Sequence, residues 1–180
     1  RWDNPDNFAL MVMNDILGGG GFTSRITKKV RSDEGLAYSA GSRFNIGTYW
    51  PGDFRVSYQS KNETVALAAK FSLAEIDKLR SAAASEEEMT TSKNSFIEPF
   101  PRNFESPAAV ARLFADDDYM GRPHSYWETY RDNIRKIGAG DVQRVAKGYL
   151  FPDKMVFLVV GKWAEIEPGD ADKRASMQEF

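Results

Sequence analysis

Apolar residues along the chain fall first at helical and then at strand spacing. Asn4-Pro5 is a helix opening, with Asn as cap and Pro at the first helical position, and Phe8, Met11, Val12 and Ile16 follow on one face. The four glycines Gly18 to Gly21 are expected to end that helix. Thr23 or Ser24 then caps a short helix with Ile26 and Val30 inward, closed by Gly35 as the left-handed residue. From Leu36 to Ile46 and from Asp53 to Gln59 the pattern alternates, which places Tyr38, Ala40, Ser42, Phe44 and then Phe54, Val56, Tyr58 on single faces. The segment Gly47 to Gly52, with Pro51, joins these two strands as a hairpin loop. Asn62 or Thr64 opens a longer helix with the stripe Val65, Ala69, Leu73, Ile76 and Leu79, its other face carrying Lys70, Glu75 and Lys78.

Beyond Ala84, Glu86 to Lys93 precede a break at Pro99 and Pro101, and a helix from about Pro107 turns Val110, Leu113 and Phe114 inward. Tyr126, Tyr130, Ile134 and Ile137 mark another helix, and Val142, Val145, Ala146 and Tyr149 one more. Pro152 separates these from a strand over Met155 to Val160, and the tail from Pro168 to Phe180 has too little apolar content to resist fraying. The order predicts an α+β domain with helices on one face of a largely antiparallel sheet. Three strands are too few to cover so many amphipathic helices, so at least one more is expected before Arg1 in a parent chain. A single domain over residues 1–180 with a flexible tail at 168–180 is the expected organisation.

At 180 residues, with 42% hydrophobic, 28% charged and 13% aromatic residues, the composition is that of a folded globular domain. A net charge of −2 without a basic face argues against nucleic acid as a partner. The longest strongly apolar run, Met155 to Val160, is far short of the roughly 20 residues of a membrane span. The chain starts at Arg1 with neither methionine nor leader and is read as a piece of a longer polypeptide.

The absence of cysteine excludes disulfides, thiolate metal sites and a cysteine nucleophile. His124 is the single histidine, just before a helix in Arg122-Pro123-His124-Ser125, and reads as a surface or capping residue. Glu86-Glu87-Glu88 and Asp116-Asp117-Asp118 lack the alternation of a calcium loop and read as solvated surface, while Tyr126, Trp127 and Tyr130 read as packing core. A phosphate-binding reading of Gly18 to Gly21 fails on detail, because a helix precedes the loop and Phe22-Thr23-Ser24 follows it. Four successive glycines are entropically costly for a simple turn, which points to close approach or movement of some group at that backbone. Arg31 and Tyr38 flank the turn Ser32 to Ala37 and can reach a common space. A forked cation and a phenol suit a carbonyl oxygen that gains negative charge, although a helix-end arginine and a packed tyrosine account for both residues taken alone.

Gly18 to Ile26, running into Val30-Arg31-Ser32-Asp33-Glu34-Gly35-Leu36-Ala37-Tyr38-Ser39, resembles the second homologous domain of the pitrilysin, insulinase and mitochondrial-processing-peptidase family. Asp6 to Gly18 is similar to the helix leading into the family's glycine loop, and Tyr126 to Leu150 to its closing helices. The resemblance implies one half of a clamshell zinc peptidase, in which a homologous domain or subunit carries zinc on an inverted His-x-x-Glu-His motif. That motif is absent here, so the resemblance assigns no metal to this chain and expects zinc on the partner. It implies Arg31 and Tyr38 as catalytic contributors and Gly18, Gly19, Gly20, Gly21 and Phe22 as the loop that meets peptide. Gly138 and Gly140 stand where similar sequences often cap a helix with threonine. The competing reading is a catalytically silent interaction or scaffold subunit of the same fold, and a nucleotide-binding module rests on the glycines alone.

Overall fold

The computed structural model describes all residues from Arg1 to Phe180. Its first helix, α1 (Asn7–Asn14), begins two residues beyond the expected opening. Asn4 Oδ1 accepts the Asp6 amide at 2.9 Å, so Asn4 shapes the turn before the helix. The glycines do not stop the chain's coiling at Gly18. A π-helical turn, Asp15–Gly19, carries it on to Gly20, and Gly21 at φ 63° makes the break. Ser24, with extended dihedrals, starts the next helical run, most of which is a second π-helical segment, Thr27–Asp33. Gly35 at φ 63° closes it as expected, and Leu36 donates back to the Val30 carbonyl at 2.9 Å.

The hairpin consists of β1 (Ala37–Phe44) and β2 (Phe54–Ser60), paired antiparallel with Phe44 opposite Phe54, Ser42 opposite Val56 and Ala40 opposite Tyr58. These residues share the face that packs on the core, as the alternation predicts. Tyr38 leaves that face, because Ala37 pairs with Ser60 while Ser39 pairs with Gln59, making Tyr38 the extra residue of a β-bulge. Helix α2 (Val65–Ser81) follows, tied to β2 by the Tyr58 hydroxyl donating to the Val65 carbonyl at 3.0 Å. Burial pushes the Tyr58 phenol up to about 12. Ala69, Ile76 and Leu79 of the expected stripe are buried, and Val65 and Leu73 are half-buried. Glu75, expected on the solvent face, is buried, with its carboxylate held by Lys78 Nζ at 2.6 Å.

Helices α3 (Glu86–Ile97), α4 (Pro107–Met120), α5 (Tyr126–Lys136) and α6 (Ala139–Tyr149) complete the helical layer. Ser85 and Glu88 form a capping box at the start of α3, and Ser106 with Pro107 opens α4. Gly138 caps α6 and donates its amide to Asp141 Oδ2 at 2.9 Å. The aromatic residues of α5 do form core: Tyr130 stacks on Phe100 at 5.3 Å and Tyr126 on Phe8 at 5.5 Å. The acidic triplet of α4 is not all solvated. Asp117 is fully buried, accepting from Trp127 Nε1 at 2.7 Å and from Arg122 Nε at 2.5 Å.

Met155 to Val160, expected as a third strand, is extended but pairs with nothing, so the sheet has two strands. Beyond it lies one short helical turn, α7 (Trp163–Ile166). Residues 168–180, expected as a tail, lie against the domain, with Ala175 buried, Lys70 Nζ 3.0 Å from Glu179 and Arg174 3.3 Å from Glu34. The architecture is α+β, with helices packed on one face of an antiparallel hairpin. No helix is long and apolar enough to cross a membrane.

Candidate functional site

The glycine loop is fitted to β1 of its own domain. A Cβ on Gly18 would lie 2.5 Å from the Ser42 amide nitrogen and hydroxyl, and one on Gly41 would lie 2.7 Å from the Gly18 carbonyl oxygen. The close approach expected at this backbone is therefore made, at Gly18, by the hairpin. Ser42 Oγ donates to Asn14 Oδ1 at 2.8 Å and Thr27 Oγ1 to the Ala40 carbonyl at 2.7 Å, so α1 and both π-helical segments are pinned to β1. Gly18 is buried as a result, while Gly19, Gly21 and Phe22 face solvent and Gly20 is half-exposed.

Phe22, Arg31 and Tyr38 come together on the outer surface. The guanidinium carbon of Arg31 sits 4.4 Å from the Phe22 ring centre and 5.7 Å from that of Tyr38. The three arrive from separate elements: the glycine loop, the second π-helical segment and the β1 bulge. The bulge turns Tyr38 off the core-facing side and leaves it 81% exposed. Stacked cations of this kind keep their N–H edges available, because aromatic faces occupy the plane rather than the rim of the guanidinium. The Arg31 guanidinium makes no side-chain hydrogen bond or ion pair within the chain, its contacts being the two rings.

Next to this cluster an open polar groove of about 960 Å³ runs between the second π-helical segment and α3, lined among others by Phe22, Lys28, Glu75 and Ser92. Arg25 crosses it with a two-pronged bond to Glu88, Nε to Oε1 at 2.6 Å and Nη2 to Oε2 at 2.9 Å. That bond holds the Glu88 carboxyl down at about 2, against an ordinary 4.5. Asp15, by contrast, is raised by burial, with the Ser95 hydroxyl 3.3 Å away.

His124, the single histidine, stands exposed with its Nε2 3.1 Å from Asp118 Oδ1. No group of three or more His, Asp or Glu side chains is placed to hold a metal ion together. Sequence reading paired Arg31 with Tyr38. It missed the stacking of Arg31 on Phe22 and the Arg25–Glu88 bond, whose partners are 63 residues apart. A Ser85-x-x-Glu88 capping pattern, not singled out in the sequence reading, is a local signal for the carboxylate's position, but nothing local marks the cation it binds.

The class is set by the fold, a two-layer α+β domain with helices packed on one face of an antiparallel hairpin. Residues 1–96 match the family model described as the peptidase M16 inactive domain, and the chain belongs to that family. A non-peptidase homolog, YmxG, of Helicobacter pylori is 26% identical over 152 residues, covering 83% of this chain and 34% of the relative. Among solved structures, a peptidase M16 inactive domain from Pseudomonas fluorescens superposes with a TM-score of 0.77 at 24% identity, over 85% of this chain and 36% of that one. A protease from Helicobacter pylori superposes with a TM-score of 0.71 at 23% identity, over 82% of this chain and 35% of that one. The chain thus spans about a third of the length of each of these proteins.

Proposed function

We propose that this domain is the substrate-side partner in a zinc peptidase, meeting peptide held at a zinc site on a homologous domain or subunit. Arg31 and Tyr38 contribute donors to the reacting carbonyl, and the exposed part of the Gly18–Gly21 loop with Phe22 contacts the peptide chain. The observation that supports this most is the Arg31 fork, stacked between two exposed rings and engaged by nothing in its own domain. A peptide carbonyl under attack gains negative charge on oxygen, and donors positioned in advance stabilise that charge more than they stabilise the starting amide.

The test is turnover in the assembled enzyme. Tyr38→Phe removes one donor with little change of shape, and kcat is expected to fall by roughly 10²–10³. Arg31→Lys keeps the charge but loses the fork and is expected to be impaired as well. Melting temperatures should stay near that of the parent, since both side chains lie at the surface. Normal kcat with a lowered melting temperature would reduce the pair to a structural role.

The non-peptidase description of the Helicobacter pylori relative favours a second reading, a silent interaction or scaffold subunit that keeps the fold. A His-x-x-Glu-His motif in the partner, together with peptide cleavage lost on its mutation, supports the first reading. A partner lacking that motif, with no cleavage by the complex, supports the second.

A further inference from the structure

Glu34 lies in the turn that joins Arg31 to Tyr38, and its carboxylate is held from two sides. Oε1 accepts from Lys29 Nζ at 2.7 Å and Oε2 from Arg174 Nη1 at 3.3 Å. Arg174 is itself fixed, because its Nε donates to Asp170 Oδ2 at 3.2 Å and its amide to Asp170 Oδ1 at 3.0 Å. Asp170 is buried and also accepts the Ala175 amide at 2.9 Å. Lys70 of α2 donates to the Arg174 carbonyl at 2.6 Å, and Lys29 lies 4.5 Å from the centre of the Phe71 ring on the same helix. One carboxylate in the turn is thus tied to α2 and to a segment 140 residues away in the sequence.

What the turn carries makes this tie consequential. Arg31 stands near the end of a π-helical segment and Tyr38 is the extra residue of a bulge, so neither side chain is set in the core. Their separation depends on the path of the turn. At Leu36 that path is held by burial and by the Thr64 hydroxyl, which donates to the Leu36 carbonyl at 3.2 Å. Ser32, Asp33 and Gly35 are exposed, which leaves Glu34 as the side chain that fastens the rest of the turn to the domain.

From this network we propose that Glu34 and Arg174 are positioning residues for the Arg31–Tyr38 pair. Arg174, presented by the loop at Asp170, clamps the turn and fixes the geometry in which guanidinium and phenol meet a peptide carbonyl. This role rests on the reading of that pair as donors to substrate. The clamp joins a turn inside residues 1–96, which the family model matches, to residues outside that match. Magnitudes separate positioning from stability. The Glu34 and Arg174 side chains are 22% and 45% exposed, and ion pairs in such settings add little to global stability. Placement is more sensitive, since a shift of about 1 Å at reacting groups can lower a rate by roughly 100-fold. A loosened turn therefore costs turnover before it costs folding.

The test uses the full polypeptide that contains residues 1–180, assembled with its zinc-bearing partner, as parent and as Arg174→Gln, Glu34→Gln and Glu179→Gln. The last is the control, because it breaks the Lys70–Glu179 pair on the same segment and leaves Arg174 and Glu34 in place. The amides at 34 and 36 donate to the Lys29 and Val30 carbonyls at 3.2 and 2.9 Å. In the first two variants their hydrogen exchange, corrected for intrinsic rate, is expected to be about 10-fold faster, while amides of α6 keep the parent rate. In the same two, kcat is expected to fall about 10-fold with KM and melting temperature near the parent's. Parent-like exchange or parent-like kcat in Arg174→Gln overturns the clamp. An equal loss in Glu179→Gln also overturns it, since general docking of the segment would then be responsible. A parent assembly that cleaves nothing removes the peptidase reading instead, and the clamp then stands or falls on exchange at 34 and 36 alone.

Discussion

A side chain at Gly18 would collide with the backbone of Ser42, whereas one at Gly21 would meet open space but at φ 63°. The two glycines are therefore required for different reasons, and substitution should separate them. Gly18→Ala forces β1 and the π-helical turn apart and is expected to lose about 1–3 kcal/mol, as overpacked sites do. Gly21→Ala loses about 1–2 kcal/mol from left-handed strain alone. Asparagine tolerates that conformation, so Gly21→Asn should recover much of the loss while Gly18→Asn should not. Urea denaturation of the four variants measures this, and equal losses for both asparagine variants would mean that crowding at Gly18 is relieved by movement of the hairpin. The run of glycines was visible in the sequence, but the need for close approach at one and positive φ at another depends on what lies beside each.

Helix α3 is anchored to the glycine-loop region by Arg25–Glu88, and this bond gives the association of the two elements a pH dependence. The Arg25 guanidinium holds Glu88 at about 2 in the folded domain against an ordinary 4.5. A carboxyl depressed on folding stabilises the fold fully above its unfolded value, so this contribution is intact above about pH 4.5 and disappears as pH falls toward 2. Glu88→Gln should lower stability at pH 7 by about 1–2 kcal/mol, as expected for a partly buried charge-assisted pair, and should flatten the pH dependence across that window. Denaturation midpoints between pH 7 and 2.5 for both proteins check it, and parallel curves would count against the bond. At this scale the hairpin, α2 and the α5–α6 pair were legible, since period and caps act locally. The bulge at Tyr38 was not, because it is set by how Ala37 and Ser39 pair with β2.

The whole domain has one histidine and no cysteine, and its carboxylates are spread among separate ion pairs. Purified residues 1–180, dialysed after exposure to zinc, are expected to retain well under one zinc per chain by elemental analysis. A stoichiometric zinc removed by chelator would contradict the division of labour proposed above between this domain and a zinc-bearing partner. The domain's standing in the peptidase M16 family fits this composition, since the family model it matches is that of the inactive domain.

Sequence alone determined the α+β class, the order of elements through α6, the absence of a zinc motif and the pairing of Arg31 with Tyr38 as a candidate site. These rest on local periodicity, capping chemistry and the inventory of side chains, all of which operate over a few residues. Tertiary structure decided the rest. Glu75 and Asp117 look like solvent-facing charges, yet one is buried beside Lys78 and the other beneath Arg122 and Trp127, through contacts set by helix packing. Met155 to Val160 has the composition of a strand but no partner within the chain, because a strand exists only when a second chain segment meets its hydrogen bonds. Phe22 joined Arg31 and Tyr38 for the same reason: a stacked cluster depends on three elements arriving at one place, and no local pattern encodes that arrival.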